Sequence, residues 1–316
     1  MSLTTPVLFL LFNRPDTALR VFDSIRKVKP AKLYVAADGP RENKTGEAEK
    51  CQETRSIIKQ IDWECDVHTL FREKNSGCKK AVSSSIDWFF ENVEEGIVLE
   101  DDCLPDESFF WFCQELLARY RDDNRIMHIG GTNFQSGQER GEGSYYFSRY
   151  SHIWGWASWR RAWKYYDVEI KSWRKFQEHN QMNNVFADRE TQKLWIKKLQ
   201  AAYEGKKNTW DIQWDYAIWS QNGLCILPNV NLVSNIGFGQ SAAHPADENN
   251  RFANMKTYSI NEVIHPFFVL PDEKADEWTF KTHYRRSFFD KMKSKLTQAK
   301  ACGYQVAATF RLRKTS

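Results

Sequence analysis

The stretch Ile97-Val98-Leu99-Glu100-Asp101-Asp102-Cys103-Leu104-Pro105-Asp106 decides the fold. A short apolar run of this kind, led by Gly96, reads as a strand buried on both faces, as in the parallel sheet of an α/β protein. It ends in three consecutive carboxylates, and Pro105 then stops the strand. In open α/β sheets, ligands bind beyond the carboxyl ends of the strands. Three adjacent acids repel one another there, so the place calls for a compensating partner. Hard divalent cations compensate through oxygen ligands, and Mg²⁺ usually combines one or two carboxylates with substrate phosphates. The tripeptide alone serves a metal–diphosphate site and a solvated acidic turn equally, and its surroundings decide.

Upstream, strand and helix signals alternate. Val7–Phe12 reads as a strand, and Asn13-Arg14-Pro15-Asp16 as a turn into a helix whose first turn suits Pro15. Leu33–Ala37 is a second strand ending in Asp38-Gly39-Pro40, and a polar helix from about Thr45 to Gln60 follows. Val67–Phe71 is a third strand, Lys79–Glu91 a helix and Ile97–Leu99 the fourth strand. This order predicts βαβ units and a parallel sheet with right-handed crossovers.

Further on, Glu107–Arg121 reads as an amphipathic helix and Ile126–Ile129 as a strand. The aromatic segment Tyr145–Tyr166 carries Trp154, Trp156, Trp159 and Trp163. Trp159 and Trp163, four apart, suit a core, whereas Trp154 and Trp156 flank Gly155 and suit the walls of a site. Helices are predicted over Glu190–Tyr203 and Trp210–Gln221, strands at Cys225–Leu227 and Asn231–Val233, and a mobile polar loop over Asn235–Asn250.

Composition narrows the class. The chain has 316 residues, 41% hydrophobic and 15% aromatic with 13 Trp, and a mean hydropathy of −0.64. That describes a globular protein without an apolar run long enough to span a bilayer. The N-terminus lacks a basic region and a cleavage site. Seven cysteines without metal-ligand spacing fit reduced thiols, so the expected location is cytoplasmic. The net charge of +4 hides an asymmetry. Residues 281–316 hold ten Lys/Arg and one acid, which leaves 35 basic against 40 acidic residues before them. An acidic body excludes the profile of a nucleic-acid binder. In the tail, Phe289, Met292 and Leu296 recur at helical spacing with Lys291, Lys293 and Lys295 between them. A basic amphipathic helix of this kind suits peripheral contact with the inner face of a membrane, and equally suits packing onto the acidic body.

Each early strand tip carries polar chemistry: Asn13-Arg14, Asp38, Arg72 with Lys74, and Glu100-Asp101-Asp102. Arg suits phosphate because its planar fork stays charged and bonds two oxygens at once. Such groups on one sheet edge suit a nucleotide diphosphate, although surface loops are polar in any case.

At this point the chain resembles the GT-A glycosyltransferases, the nucleotide-diphospho-sugar transferase fold. Four features carry the resemblance: Thr5-Pro6-Val7-Leu8-Phe9 with Asn13-Arg14-Pro15, Ala36-Ala37-Asp38-Gly39-Pro40, Val98-Leu99-Glu100-Asp101-Asp102, and Trp210-Asp211 with Pro228. The Glu-Asp-Asp motif resembles that of the animal N-acetylglucosaminyltransferase I family. The segments Thr209–Trp214 and Asn231–Gly239 resemble those of bacterial sugar-transferase-like proteins. The match covers roughly residues 5–245.

The resemblance implies an α/β, Rossmann-like GT-A fold, a mostly parallel sheet flanked by helices, over residues 1–270. Its nucleotide-binding half is about 1–106 and its acceptor half about 107–270, with a basic helical tail at 271–316. It implies that Asp38 contacts the uracil or ribose, that Arg14 sits near the diphosphate, and that Glu100 and Asp101 hold ribose or sugar hydroxyls. Asp102 would ligate Mn²⁺ or Mg²⁺. His244 is a further candidate for the metal or diphosphate, and Trp154 for a sugar ring. The expected activity is a metal-dependent, inverting transfer of a sugar from a UDP-sugar to a hydroxyl of a glycan or lipid-linked glycan. Such a transfer needs a carboxylate base. Asp211 and Asp215 are four apart on one predicted helix and share a face. Asp211, at the helix start where the dipole favours its ionised form, is the first candidate, though an N-cap alone would also place it there. A sugar-1-phosphate nucleotidyltransferase is the alternative within enzymes, and a catalytically silent nucleotide- or carbohydrate-binding protein the alternative outside them.

Overall fold

A computed structural model describes residues 2–238 and 251–285. Among them the strands are β1 (Val7–Leu11), β2 (Lys32–Ala37), β3 (Asp66–Phe71), β4 (Glu95–Glu100), β5 (Cys103–Pro105), β6 (Ile126–Gly130), β7 (Tyr145–Ser148), β8 (Trp156–Trp159), β9 (Leu224–Pro228) and β10 (Val233–Asn235). The long helices are α1 (Pro15–Val28), α2 (Glu47–Ser56), α3 (Cys78–Asn92) and α4 (Glu107–Arg119). Short α5 (Arg160–Trp163), α6 (Trp173–Glu178) and α7 (Met182–Val185) precede α8 (Arg189–Tyr203), α9 (Asp211–Ser220) and α10 (Glu273–Thr279).

Eight strands form one sheet in the order β3-β2-β1-β4-β8-β6-β9-β7, and β10 pairs with β5 in a separate ribbon. β1 to β4 run parallel, as do β6 and β9. β8 runs against both its neighbours, and β7 runs against β9. The fold is α/β, with a mostly parallel sheet between helices. The apolar run Ile97-Val98-Leu99 is buried on both faces. Val7, Phe9, Leu11 and Leu99 join the α1 and α4 side chains in the main core, while α3 and α5 pack on the other face.

The aromatic segment holds two strands that period-based reading does not separate. In β7 and β8 every position is buried, so there is no polar alternation to mark them. Trp156 is fully buried and stacks on His128, which makes it core rather than a wall of the site. The strand predicted at Asn231–Val233 lies instead at Val233–Asn235, where Val233 to Asn235 pair with Pro105 to Cys103. The polar helix begins only at Glu47, after Gly46 at φ +76°, and its last turn tightens into a 3₁₀ turn over Ile57–Gln60.

The chain divides into two compact units, 1–273 and 274–316. In the second, Lys281 Nζ pairs with Glu277 Oε1 at 2.5 Å, one turn apart. Residues 286–316, with Phe289, Met292 and Leu296, lie outside the described residues, and so does His244. No helix among the described residues is long and apolar enough to cross a membrane.

Candidate active site

From β1 the chain moves to β2 and β3 on one side, then returns to β4 on the other. The carboxyl ends of β1 and β4 therefore flank a topological switch point, where open α/β sheets leave a crevice for ligands. Leu10 is in register with Glu100, which sets the turn after β1 beside the three acids. The Phe12 N–H donates to Asp101 Oδ2 at 3.1 Å. Arg14 Nη1 donates to Asp102 Oδ2 at 2.7 Å and lies 3.8 Å from Asp101 Oδ1.

A third segment covers this pair. Asn235 Nδ2 donates to Asp102 Oδ1 at 3.3 Å, and the Ile236 N–H donates to the Asp102 carbonyl at 2.8 Å. A Cβ at Gly237 would lie 2.7 Å from Asp102 Cβ and 2.8 Å from Arg14 Nη1. Only glycine lets the backbone pass this closely.

The electrostatics are strongly one-sided. Burial and the charges of Asp102, Asp101 and Asp211 push Glu100 up to about 8, with Arg14 pulling the other way. Burial and Asp102 push Asp101 up to about 7, against Arg14 and the Phe12 N–H. For Arg14, burial disfavours the charge, but Asp101, Asp102 and Glu100 outweigh it and hold its pKa above the ordinary value. The Glu100 carboxyl has no hydrogen-bond partner among the described residues, unlike those of Asp101 and Asp102.

Asp211 arrives from the other half of the sheet. It is the first residue of α9, and Ile212 to Trp219 are all buried. Trp214 Nε1 donates to His128 Nδ1 at 3.2 Å, which ties α9 to β6. Asp211 accepts a bond from Thr209 Oγ1 and stays partly exposed. Asp215 behaves differently: it is buried, and its Oδ1 accepts the Ser151 N–H at 3.2 Å and the Ser151 hydroxyl at 2.7 Å. Burial and Asp211 push Asp215 up to about 7, with Ser151 opposing. Cys78, the exposed first residue of α3, has its thiol pushed up by the protein packed around its base, then by Glu100, Asp211, Asp38 and Asp102. One thiol thus feels carboxylates from four separate chain segments.

The remaining candidates are tied up locally. Asp38 Oδ1 accepts the Gly39 and Ser76 N–H groups at 3.0 and 2.9 Å, and Oδ2 accepts Asn75 Nδ2 and the Gly77 N–H at 2.9 and 3.2 Å. Both oxygens therefore hold the loop that leads into α3. Arg72 donates to Ser85 Oγ at 3.0 Å and Ser84 Oγ at 2.9 Å, and burial lowers its pKa. Asn13 Nδ2 bonds Glu47 Oε1 at 2.9 Å, and Glu47 also pairs with Arg41. Trp154 is partly exposed and packs edge-on against Phe134 and Phe238.

The structure therefore brings together Arg14, Glu100, Asp101, Asp102 and Asp211. Sequence reading singled out neither Asn235 nor Gly237 for a role, although both lie within the Asn231–Gly239 segment. Cys78 and Ser151 carried no local signal, because only the folded sheet brings them to the acids.

Asp102 with Glu100 or Asp101 could supply one or two oxygens to a hard divalent cation. Among the described residues these carboxylates share one guanidinium, and Glu100 is left without a hydrogen-bond partner. Among the described residues no group of three or more His, Cys, Asp or Glu side chains is placed to hold a metal ion. An ion held by one or two carboxylates, with the rest of its shell from phosphate and water, needs no such group.

No protein-family model and no curated protein matches the chain. Solved structures match in part. One is a mannosyltransferase from Pyrobaculum calidifontis in complex with GDP-Man and Mn²⁺, at 10% identity and a TM-score of 0.37 over 52% of this chain. The chain spans less than half of that structure, 46%. Another is HddC from Yersinia pseudotuberculosis, at 9% identity and a TM-score of 0.31, covering 50% of this chain and 78% of that one.

Proposed function

We propose that the crevice between β1 and β4 binds a UDP-sugar with Mn²⁺ or Mg²⁺, and that the protein transfers the sugar to a hydroxyl of a glycan or lipid-linked glycan with inversion. The carrying observation is the meeting of Glu100, Asp101 and Asp102 around the guanidinium of Arg14, at the switch point of the sheet, with Asp211 acting on Glu100 from α9.

Asp102 would hold the ion, which when bound offsets the charge growing on the leaving diphosphate. Arg14 already lies on Asp102 and can turn its remaining N–H groups to phosphate oxygens. Glu100, without a partner, is free to accept from ribose or sugar hydroxyls. Asp38 acts through the Asn75 side chain and the 76–77 backbone it fixes, and Arg72 braces that loop against α3. Trp154 offers a ring face or edge to a sugar. Asn13 orders the turn through Glu47.

Asp211 is the base we assign. It is exposed enough to meet an acceptor, mounted on a buried helix, and close enough to act on Glu100. It takes the hydroxyl proton as that oxygen bonds the anomeric carbon and the bond to the diphosphate breaks. Asp215, closed in by Ser151, instead fixes the chain ahead of Trp154. The nucleotidyltransferase alternative relies on a glycine-rich loop after the first strand, and Leu11-Phe12-Asn13-Arg14-Pro15 has no glycine.

Hydrolysis and transfer assayed across a panel of nucleotide sugars, with and without Mn²⁺, test the reading. Metal-stimulated release of UDP from at least one UDP-sugar is expected. A panel without turnover, with UDP still bound, would establish the silent binding protein instead.

A further inference from the structure

Residues 262–272 are strapped along β7, the edge strand of the sheet. Ser144 N–H donates to the Ile264 carbonyl at 2.7 Å, and the Ile264 N–H donates to Ser144 Oγ at 2.9 Å. His265 bridges Tyr145 OH at 3.0 Å and Glu115 Oε1 at 3.1 Å. The Phe267 N–H reaches Glu142 Oε1 at 3.2 Å, and the Asp272 N–H reaches the Phe147 carbonyl at 2.8 Å. Between these anchors Val263 and Val269 pack toward the core, while four larger apolar side chains point into water. Phe267 is 83% exposed, Leu270 69%, Phe268 66% and Ile264 57%, and the next large apolar side chain among the described residues, Tyr258, reaches only 50%.

From Val263 to Pro271 the sequence has no Asp, Glu, Lys or Arg, and Pro266 and Pro271 fix two of its φ angles. Contiguous apolar surface on this scale marks a site of association. The flanks carry both signs: Glu262 precedes the segment, Asp272 and Glu273 follow it, and Lys274 and Lys281 lie beyond them. Exposed Arg119 acts on His265 at the base of the segment, and residues 281–316 hold ten Lys/Arg against one acid.

We propose that the Ile264–Leu270 projection inserts into the headgroup–acyl boundary of an anionic lipid bilayer. Lipid is the partner that the composition favours. The exposed side chains offer no polar atom for a protein to pair with, while the backbone that carries them is already bonded to β7 and the 142–144 turn. An apolar anchor alone holds a membrane only marginally, and stable attachment takes a second signal such as a polybasic segment, which this chain has. Each Lys or Arg near an anionic surface adds about 1 kcal/mol. The proposal goes beyond the transferase reading and stands or falls without it.

The test uses the full chain and vesicles of phosphatidylcholine with and without phosphatidylglycerol. The wild type is expected to sediment with the anionic vesicles, and hydrogen exchange across residues 264–270 is expected to slow on binding. The double variant Phe267→Ser, Phe268→Ser alters only exposed side chains and keeps every cation. Its partition into the same vesicles should fall at least tenfold, with thermal stability unchanged. Equal partition of variant and wild type, or exchange at 264–270 unchanged by vesicles, overturns the proposal. A wild-type dimer without lipid that the double substitution dissociates also overturns it, in favour of a second copy of the chain on this surface.

Discussion

Asp211 and Asp215 sit one helical turn apart and meet opposite surroundings, and that difference makes separable predictions. Asp211→Asn should lower turnover about 100-fold or more with little change in donor affinity, because a base acts in the transition state. The kcat and KM of the variant, measured on the best donor from the panel, check this. Asp215 keeps its proton up to about pH 7 in the folded protein, whereas an unfolded Asp loses it near 4. The native state therefore binds more protons between those values, and this group's contribution falls as pH rises from about 4 to about 7. Asn keeps an oxygen for the Ser151 bonds and never ionises. Asp215→Asn should gain stability over the wild type as pH rises through that window, by up to a few kcal/mol at pH 8; urea unfolding at pH 5 and pH 8 measures it. A residue-scale prediction also follows at Gly237. Gly237→Ala should displace the segment over Arg14 and Asp102 and weaken nucleotide binding tenfold or more, while circular dichroism keeps its native shape.

At the scale of elements, β1, β2, β4 and their helices were legible because each alternates cleanly with its neighbour and carries its polar residues at one end. Glu100 to Asp102 could be placed at a strand tip from the run before them. What the sequence hid follows from burial. β7 and β8 are buried throughout, so neither offers a period of two. The β5–β10 ribbon joins residues about 130 apart in the chain, and nothing local announces it. It nevertheless delivers Asn235 and Gly237 to the acids. Gly155, at φ +64°, keeps the chain close to Val233 of the same ribbon. The ribbon leads directly into α4, whose N-cap Asp106 accepts the Ser108 N–H at 2.9 Å and the Ser259 hydroxyl at 3.1 Å. Asp106→Ala should cost about 1 kcal/mol through the lost cap, seen as a lower denaturant midpoint, and should speed hydrogen exchange across residues 257–261.

At the scale of the whole molecule, two parts of one sheet meet at the site. β1 and β4 supply Arg14 and the three acids, and the buried α9 brings Asp211 to them from the part of the sheet built by β6 and β9. The central claim is that this acidic crevice binds a nucleoside diphosphate and a divalent cation together. Calorimetric titration of UDP into the protein, with and without Mn²⁺, tests it most directly. Mn²⁺ should tighten UDP binding at least tenfold, and Asp102→Ala should remove the gain while the protein stays folded by circular dichroism. UDP affinity independent of the metal in the wild type, or the same metal-dependent gain in Asp102→Ala, would contradict it.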